Sequence, residues 1–120
     1  RTDMEYHTSG DKVDTTAIWH KNMIDIFTIP STDDGQPQAT FGHLMGGYDA
    51  GYYGYLWSEV YAADMFTEFE KIGLESPEIG RRYREWILQP GGSREPSVLI
   101  RGFLKREPNS DAFLKSLGLN

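Results

Sequence analysis

Apolar positions recur along most of this chain at spacings of three and four, the period of an α-helix that buries one face. Within 14–29, a helix is predicted from Asp14 to about Phe27: Asp14 is suited to accept the first free backbone N–H groups, and Ile18, Met23, Ile24 and Phe27 form a broken stripe before Pro30 closes it. The polar, turn-forming run STDDGQPQAT, residues 31–40, reads as surface loop, within a loop expected over 30–48. A long helix is predicted over 49–73, with Tyr55, Leu56, Val60, Ala63, Met65, Phe66 and Phe69 as apolar bulk and Gly73 as its C-terminal cap. Further helices fill 76–119. Ser76, Pro77 and Glu78 mark a start that places Ile79, Tyr83, Trp86 and Ile87 on one face and must stop before Pro90. After PGGS, a shorter helix carries Val98, Leu99, Phe103 and Leu104, and a last one, capped by Ser110 or Asp111, carries Phe113, Leu114 and Leu117 up to Gly118. Met4 to Thr8 fits a short strand or a helix tail, and no alternating pattern of useful length appears elsewhere. The fold class is therefore mainly α, about four to five helices with a Gly/Tyr-rich loop.

Composition narrows the function classes more than the fold. With 120 residues, 38% hydrophobic and 13% aromatic, the chain suits one domain with a modest core. A net charge of -6 and a pI near 4.9 argue against a nucleic-acid backbone or an anionic membrane as partner. The absence of cysteine excludes disulfides, thiolate zinc fingers and cysteine nucleophiles. No apolar run approaches the ~20 residues that span a bilayer, and RTDMEYHT has neither the basic start nor the apolar stretch of a signal peptide. Arg1 in place of a starting Met leads us to expect a fragment.

The three histidines, His7, His20 and His43, do not pair at the four-residue spacing of an HExxH zinc helix. His7 and His20 read as surface or core histidines, while a metal site assembled from distant His, Asp and Glu stays open.

The unusual stretch is FGHLMGGYDAGYYGY, residues 41–55, where five glycines and four tyrosines surround His43 and Asp49. Glycine at 42, 46 and 47 suits a loop that bends sharply or lets a ligand approach the main chain. Gly51 and Gly54 should each cost about 1 kcal/mol inside a helix, which points to close approach by another backbone or a bound peptide, or to tight helix packing. With Asp49 as cap, Tyr52, Tyr55 and Glu59 share a face. Phenol and imidazole groups gathered there could donate hydrogen bonds to developing negative charge. Clustered tyrosines also serve as packing residues with one wet end.

Residues 39–66, ATFGHLMGGYDAGYYGYLWSEVYAADMF, resemble the C-terminal signature of the thimet oligopeptidase and neurolysin family of zinc peptidases. The likeness continues through 83–119, YREWILQPGGSREPSVLIRGFLKREPNSDAFLKSLGL, and DMEYHT resembles the end of a family helix, making 1–13 the tail of an upstream helix and a loop. The resemblance implies the helical C-terminal portion of a two-lobed zincin oligopeptidase that cuts short peptides in a deep channel. Its zinc, held by an HExxH helix and a downstream glutamate, would be bound outside this chain. His43 and Tyr48 correspond to family residues that face the substrate, Tyr55 to a proposed donor to the tetrahedral intermediate, and Tyr52 to another channel-lining tyrosine. Gly46 and Gly47 match glycines of a mobile loop that closes on substrate. The implied partners are short peptides and the zinc-bearing N-terminal part of the same enzyme, with no nucleic acid or membrane; the implied compartment is cytoplasmic, or alternatively mitochondrial. Alone, the chain is expected to be inactive. The competing reading is a noncatalytic helical peptide-binding or structural module derived from the same fold.

Overall fold

The computed structural model describes residues 1–30 and 35–119, and the expected loop residues 31–34 lie outside the described set. Among the described residues the regular structure is entirely helical, with six α-helices and several shorter helical turns. The chain divides into two compact units, Arg1–Tyr55 and Leu56–Asn120.

In the first unit, α1 spans Thr2–Thr8 and α2 spans Thr15–Phe27. The ambiguous Met4–Thr8 segment is thus helical. Asp14 caps α2 as expected, its carboxylate accepting the Ala17 N–H at 2.9 Å. Thr28, at φ 57°, turns left-handed and ends the helix by donating its N–H to the Ile24 carbonyl. Polar contacts join the two helices. Asn22, buried on α2, donates to Thr2 Oγ1 at 3.0 Å and to Glu5 Oε2 at 3.1 Å, and the Tyr6 hydroxyl donates to the Thr15 carbonyl at 2.8 Å. Only part of the anticipated apolar stripe is covered: Ile18 and Met23 are half-buried, whereas Ile24 and Phe27 are exposed because the α1 side of α2 is its polar, Asn22-bearing face.

The loop after α2 contains two 3-10 turns, Pro37–Thr40 and Gly42–Met45. Gln38 Nε2 reaches Thr16 Oγ1 at 2.6 Å, and Trp19 meets Phe41 edge to face, which ties this segment back to α2. His20 Nε2 lies 3.3 Å from the Gly35 carbonyl.

α3 covers Gly54–Ile72, starting five residues later than the predicted Asp49. Ala50 sits at φ 54°, a left-handed conformation that cannot continue a right-handed helix, so residues 49–53 form successive turns instead. Gly73, at φ 110°, ends the helix by donating to the Phe69 carbonyl at 2.8 Å, as its position suggested.

The second unit is organised by an apolar core. α4, Pro77–Tyr83, begins at Ser76 with Pro77 in its first turn and runs directly into a π-helical turn, Arg84–Leu88. α5 spans Pro96–Leu104 and α6 spans Asp111–Ser116. Ile79, Phe103 and Leu104 form the buried centre, with Met65, Phe69, Ile72, Tyr83, Trp86, Ile87 and Ile100 packed around them. The predicted face of α4 is the one that is buried. The glycine of α5 has a specific cause: an added Cβ on Gly102 would overlap the ring of Trp86, so only a hydrogen fits beneath the indole.

An ion pair on a buried carboxylate closes this unit. Asp64 of α3, 1% exposed, receives both terminal nitrogens of Arg106 and the backbone N–H of Asn109, the latter at 2.9 Å. Glu68, one turn on, accepts from Lys71 at 2.9 Å and Arg82 at 2.8 Å, and the Arg82 guanidinium lies over the Phe103 ring.

Candidate functional site

Gly42, His43 and Leu44 lie in the second 3-10 turn, which fixes the imidazole ahead of the glycine pair. The His43 carbonyl accepts the N–H groups of both Gly46 and Tyr48 at 3.1 Å, folding the chain back so that Tyr48 returns to the histidine. Gly47, at φ 88°, makes that reversal possible, since a side chain there would strain the backbone. Gly46 has no such constraint. A Cβ on it would meet the Gly42 carbonyl at 3.4 Å, ordinary contact.

The turns over 49–53 then bring two more phenols to the same place. The His43 ring centroid stands 5.7 Å from Tyr48, 5.1 Å from Tyr52 and 5.9 Å from Tyr55, each pair edge to face. Tyr55 is 5.1 Å from Tyr48 and 5.0 Å from Tyr52, so the four rings form one cluster. Phe41 backs it, contacting Tyr52 at 4.9 Å and His43 at 6.1 Å. All four sequence-singled rings are therefore adjacent. Each keeps substantial solvent exposure, so the cluster is a surface rather than a core.

Hydrogen bonding with the Tyr48 phenol, partial desolvation and the neighbouring Tyr48 and Tyr52 charges all raise the Tyr55 pKa above the ordinary phenol value. Tyr55 accordingly keeps its proton throughout the neutral range. The arrangement offers phenolic O–H donors and an imidazole on one face, suited to hydrogen-bonding the oxygens of a peptide group.

The glycines of this tract settle differently from one another. A Cβ on Gly54 meets no atom within 4 Å, and one on Gly51 would make only ordinary contact with the Tyr48 carbonyl at 3.7 Å. Helix packing within the unit therefore does not require glycine at either position.

One component was not anticipated. Asp3 of α1, 3% exposed, accepts the N–H groups of Ala50 at 2.9 Å and Tyr52 at 3.0 Å, the role the sequence reading had given to Asp49. Local capping rules look three residues ahead, and this carboxylate comes from 47 and 49 residues away. His7 stands on the same carboxylate, its Nδ1 3.1 Å from Asp3 Oδ1 and 2.8 Å from the Asp3 carbonyl.

Among the described residues no group of three or more His, Cys, Asp or Glu side chains is arranged to hold a metal ion. His43 is surrounded by rings, and His7 and His20 bond to backbone and carboxylate partners. No described helix is long and apolar enough to cross a membrane.

Comparison with known proteins places the chain first among the peptidases, by a match that runs along nearly its whole length. It belongs to Peptidase family M3, whose model covers residues 1–119. It is 43% identical over 105 residues to the thimet-like oligopeptidase of Dictyostelium discoideum, a match covering 88% of this chain and 16% of that protein. Oligopeptidase A of Escherichia coli (strain K12) is 40% identical over 111 residues, covering 92% of this chain and 16% of the relative. Saccharolysin of Saccharomyces cerevisiae is 41% identical over 122 residues, covering 98% and 17%. The chain thus spans about a sixth of the length of these curated relatives.

Proposed function

We propose that this chain is the C-terminal part of a zinc oligopeptidase that hydrolyses short peptides, and that it supplies the substrate and transition-state contacts while the metal is held elsewhere in the parent protein. The observation that carries the reading is the clustering of His43, Tyr48, Tyr52 and Tyr55 on one exposed face, with Tyr55 held protonated. Family membership and the oligopeptidase names of the relatives support the peptidase class. Zinc in the parent would polarise the scissile carbonyl and its attacking water. Among the described residues no group of three or more His, Cys, Asp or Glu side chains fits that metal.

What this chain's residues do follows from their donors. Tyr55 and His43 donate hydrogen bonds to the carbonyl oxygen as negative charge develops on it, and Tyr48 and Tyr52 fix the peptide against the same face. The space beside Gly54, where an added Cβ would meet no atom within 4 Å, leaves room for a peptide near the start of α3. Gly46 and Gly47 form the bend by which this tract closes on substrate. The compartment is the cytoplasm, with mitochondria as the alternative, and short peptides and the zinc-bearing part of the same enzyme are the partners. The isolated chain cuts nothing.

Tyr55→Phe in the full-length protein tests this reading. Removal of one such donor lowers kcat on the order of 10²-fold, with zinc content unchanged. Unaltered turnover of a quenched peptide by that variant overturns the assignment.

A further inference from the structure

We propose that Asp3 is a positioning residue for the His43/Tyr55 site, holding the 49–53 turn in the conformation that gathers the tyrosines. This rests on the reading of the ring cluster as the substrate-contacting surface. Asp3 itself reaches no reacting atom.

Three observations converge on it. Asp3 is buried although it is an acid, and its two oxygens are divided between two backbone donors of the same turn, Ala50 N–H to Oδ1 at 2.9 Å and Tyr52 N–H to Oδ2 at 3.0 Å. An ionised acceptor makes these bonds stronger than a neutral one would. Ala50, between Asp49 and the glycine at 51, takes φ 54°, a region that a residue with a Cβ occupies only when its surroundings impose it. The Asp3 carboxylate is the partner that the structure supplies for imposing it. The last observation is His7, one turn along α1. Its Nδ1 faces the Asp3 carbonyl at 2.8 Å and Oδ1 at 3.1 Å; both only accept, so Nδ1 carries the proton and donates. The carboxylate is therefore oriented from its own helix before it meets the turn.

The consequence for the site is geometric. Tyr52 is bonded to Asp3 through its own N–H, and the Tyr55 N–H bonds to the Tyr52 carbonyl at 3.2 Å, so the Asp3 restraint passes along the backbone to both tyrosines. Releasing one of the two N–H groups lets the strained residue relax and moves both phenols relative to His43. Misplacement of a catalytic group by a fraction of its contact distance is costly in rate without removing binding.

The test uses the full-length peptidase. Asp3→Asn keeps the shape of the side chain but sets an NH2 group against one of the two backbone donors. We expect kcat on a quenched peptide to fall about tenfold or more with zinc content unchanged and a smaller effect on KM, and the amide proton resonances of Ala50 and Tyr52 to move upfield as their charged acceptor is lost. Adding Ala50→Gly to Asp3→Asn should restore part of the lost kcat, because glycine adopts positive φ without needing the carboxylate. Full turnover in Asp3→Asn, in a protein where Tyr55→Phe is impaired, overturns the positioning role. A loss that Ala50→Gly does not relieve also overturns it. Full turnover in Tyr55→Phe would instead remove the underlying assignment of the cluster.

Discussion

An ordinary phenol keeps its proton at neutral pH, and at Tyr55 the neighbouring groups raise the pKa further. The largest cause of its raised pKa is hydrogen bonding with Tyr48, ahead of desolvation and of the charges on Tyr48 and Tyr52. Removing that hydroxyl in Tyr48→Phe should therefore bring the Tyr55 titration down toward the ordinary phenol value. Following the ring carbon of Tyr55 by NMR against pH checks it, and the alkaline limb of kcat in the parent enzyme should move to lower pH in parallel; an unmoved Tyr55 titration would refute the Tyr48 contribution. The four rings were legible because they lie within 13 residues and match the family motif, but the helical face expected for Tyr52 and Tyr55 does not form, since residues 49–53 make turns and α3 starts at Gly54. Asp3 was not, since no local rule links a carboxylate in one helix to amides 47 and 49 residues later. The same blindness moved the start of α3: Asp49 has the right residue type for a cap, but the left-handed Ala50 beside it ends any helical continuity.

At the scale of elements, α3 is fastened to the segment joining α5 and α6 by Asp64. Burial opposes the Asp64 charge, but the hydrogen bonds from Arg106 and Asn109 and the Arg106 charge outweigh it, and the pKa lies below the ordinary carboxylate value. A depressed folded-state pKa means that this contribution to stability is complete above the ordinary carboxylate range and is lost as pH falls through the lower, folded value. Arg106→Met should destabilise the protein by ~3 kcal/mol at most, the guanidinium being partly in solvent, with the loss measured by urea unfolding at neutral pH and shrinking as the solution is acidified. An effect that stayed constant down through the carboxylate range would argue against the ion pair as its source. The apolar face in this half was readable, as with Ile79 and Tyr83 of α4 and Trp86 and Ile87 beyond it. The π-helical turn over Arg84–Leu88 was not, because the apolar spacing that predicts an α-helix there does not register a single widened turn.

Across the whole molecule the two units are built on different principles. The second has an apolar centre, whereas among the described residues of the first the buried ones are Asp3 and Asn22, and Ile24, Ile26, Phe27 and Ile29 are each more than half exposed. That inversion hid from a hydrophobic pattern: of the α2 stripe, Ile24 and Phe27 are surface while Ile18 and Met23 are half-buried, and the hydrogen bonds that join α1 and α2 come from polar residues. A chain that spans about a sixth of its relatives' length can carry such apolar surface as contact area for the rest of a larger protein.

Gly102 and Trp86 occupy what is in effect one shared volume, divided unequally between two helices. Size can then be exchanged across it. Gly102→Ala alone should cost about 1–3 kcal/mol by overpacking, and Trp86→Leu alone should leave a void, whereas the two together should unfold at a higher urea concentration than their separate effects predict. If the pair proves simply additive, the indole yields to the added methyl and the spacing of the Arg84–Leu88 turn and α5 is set elsewhere.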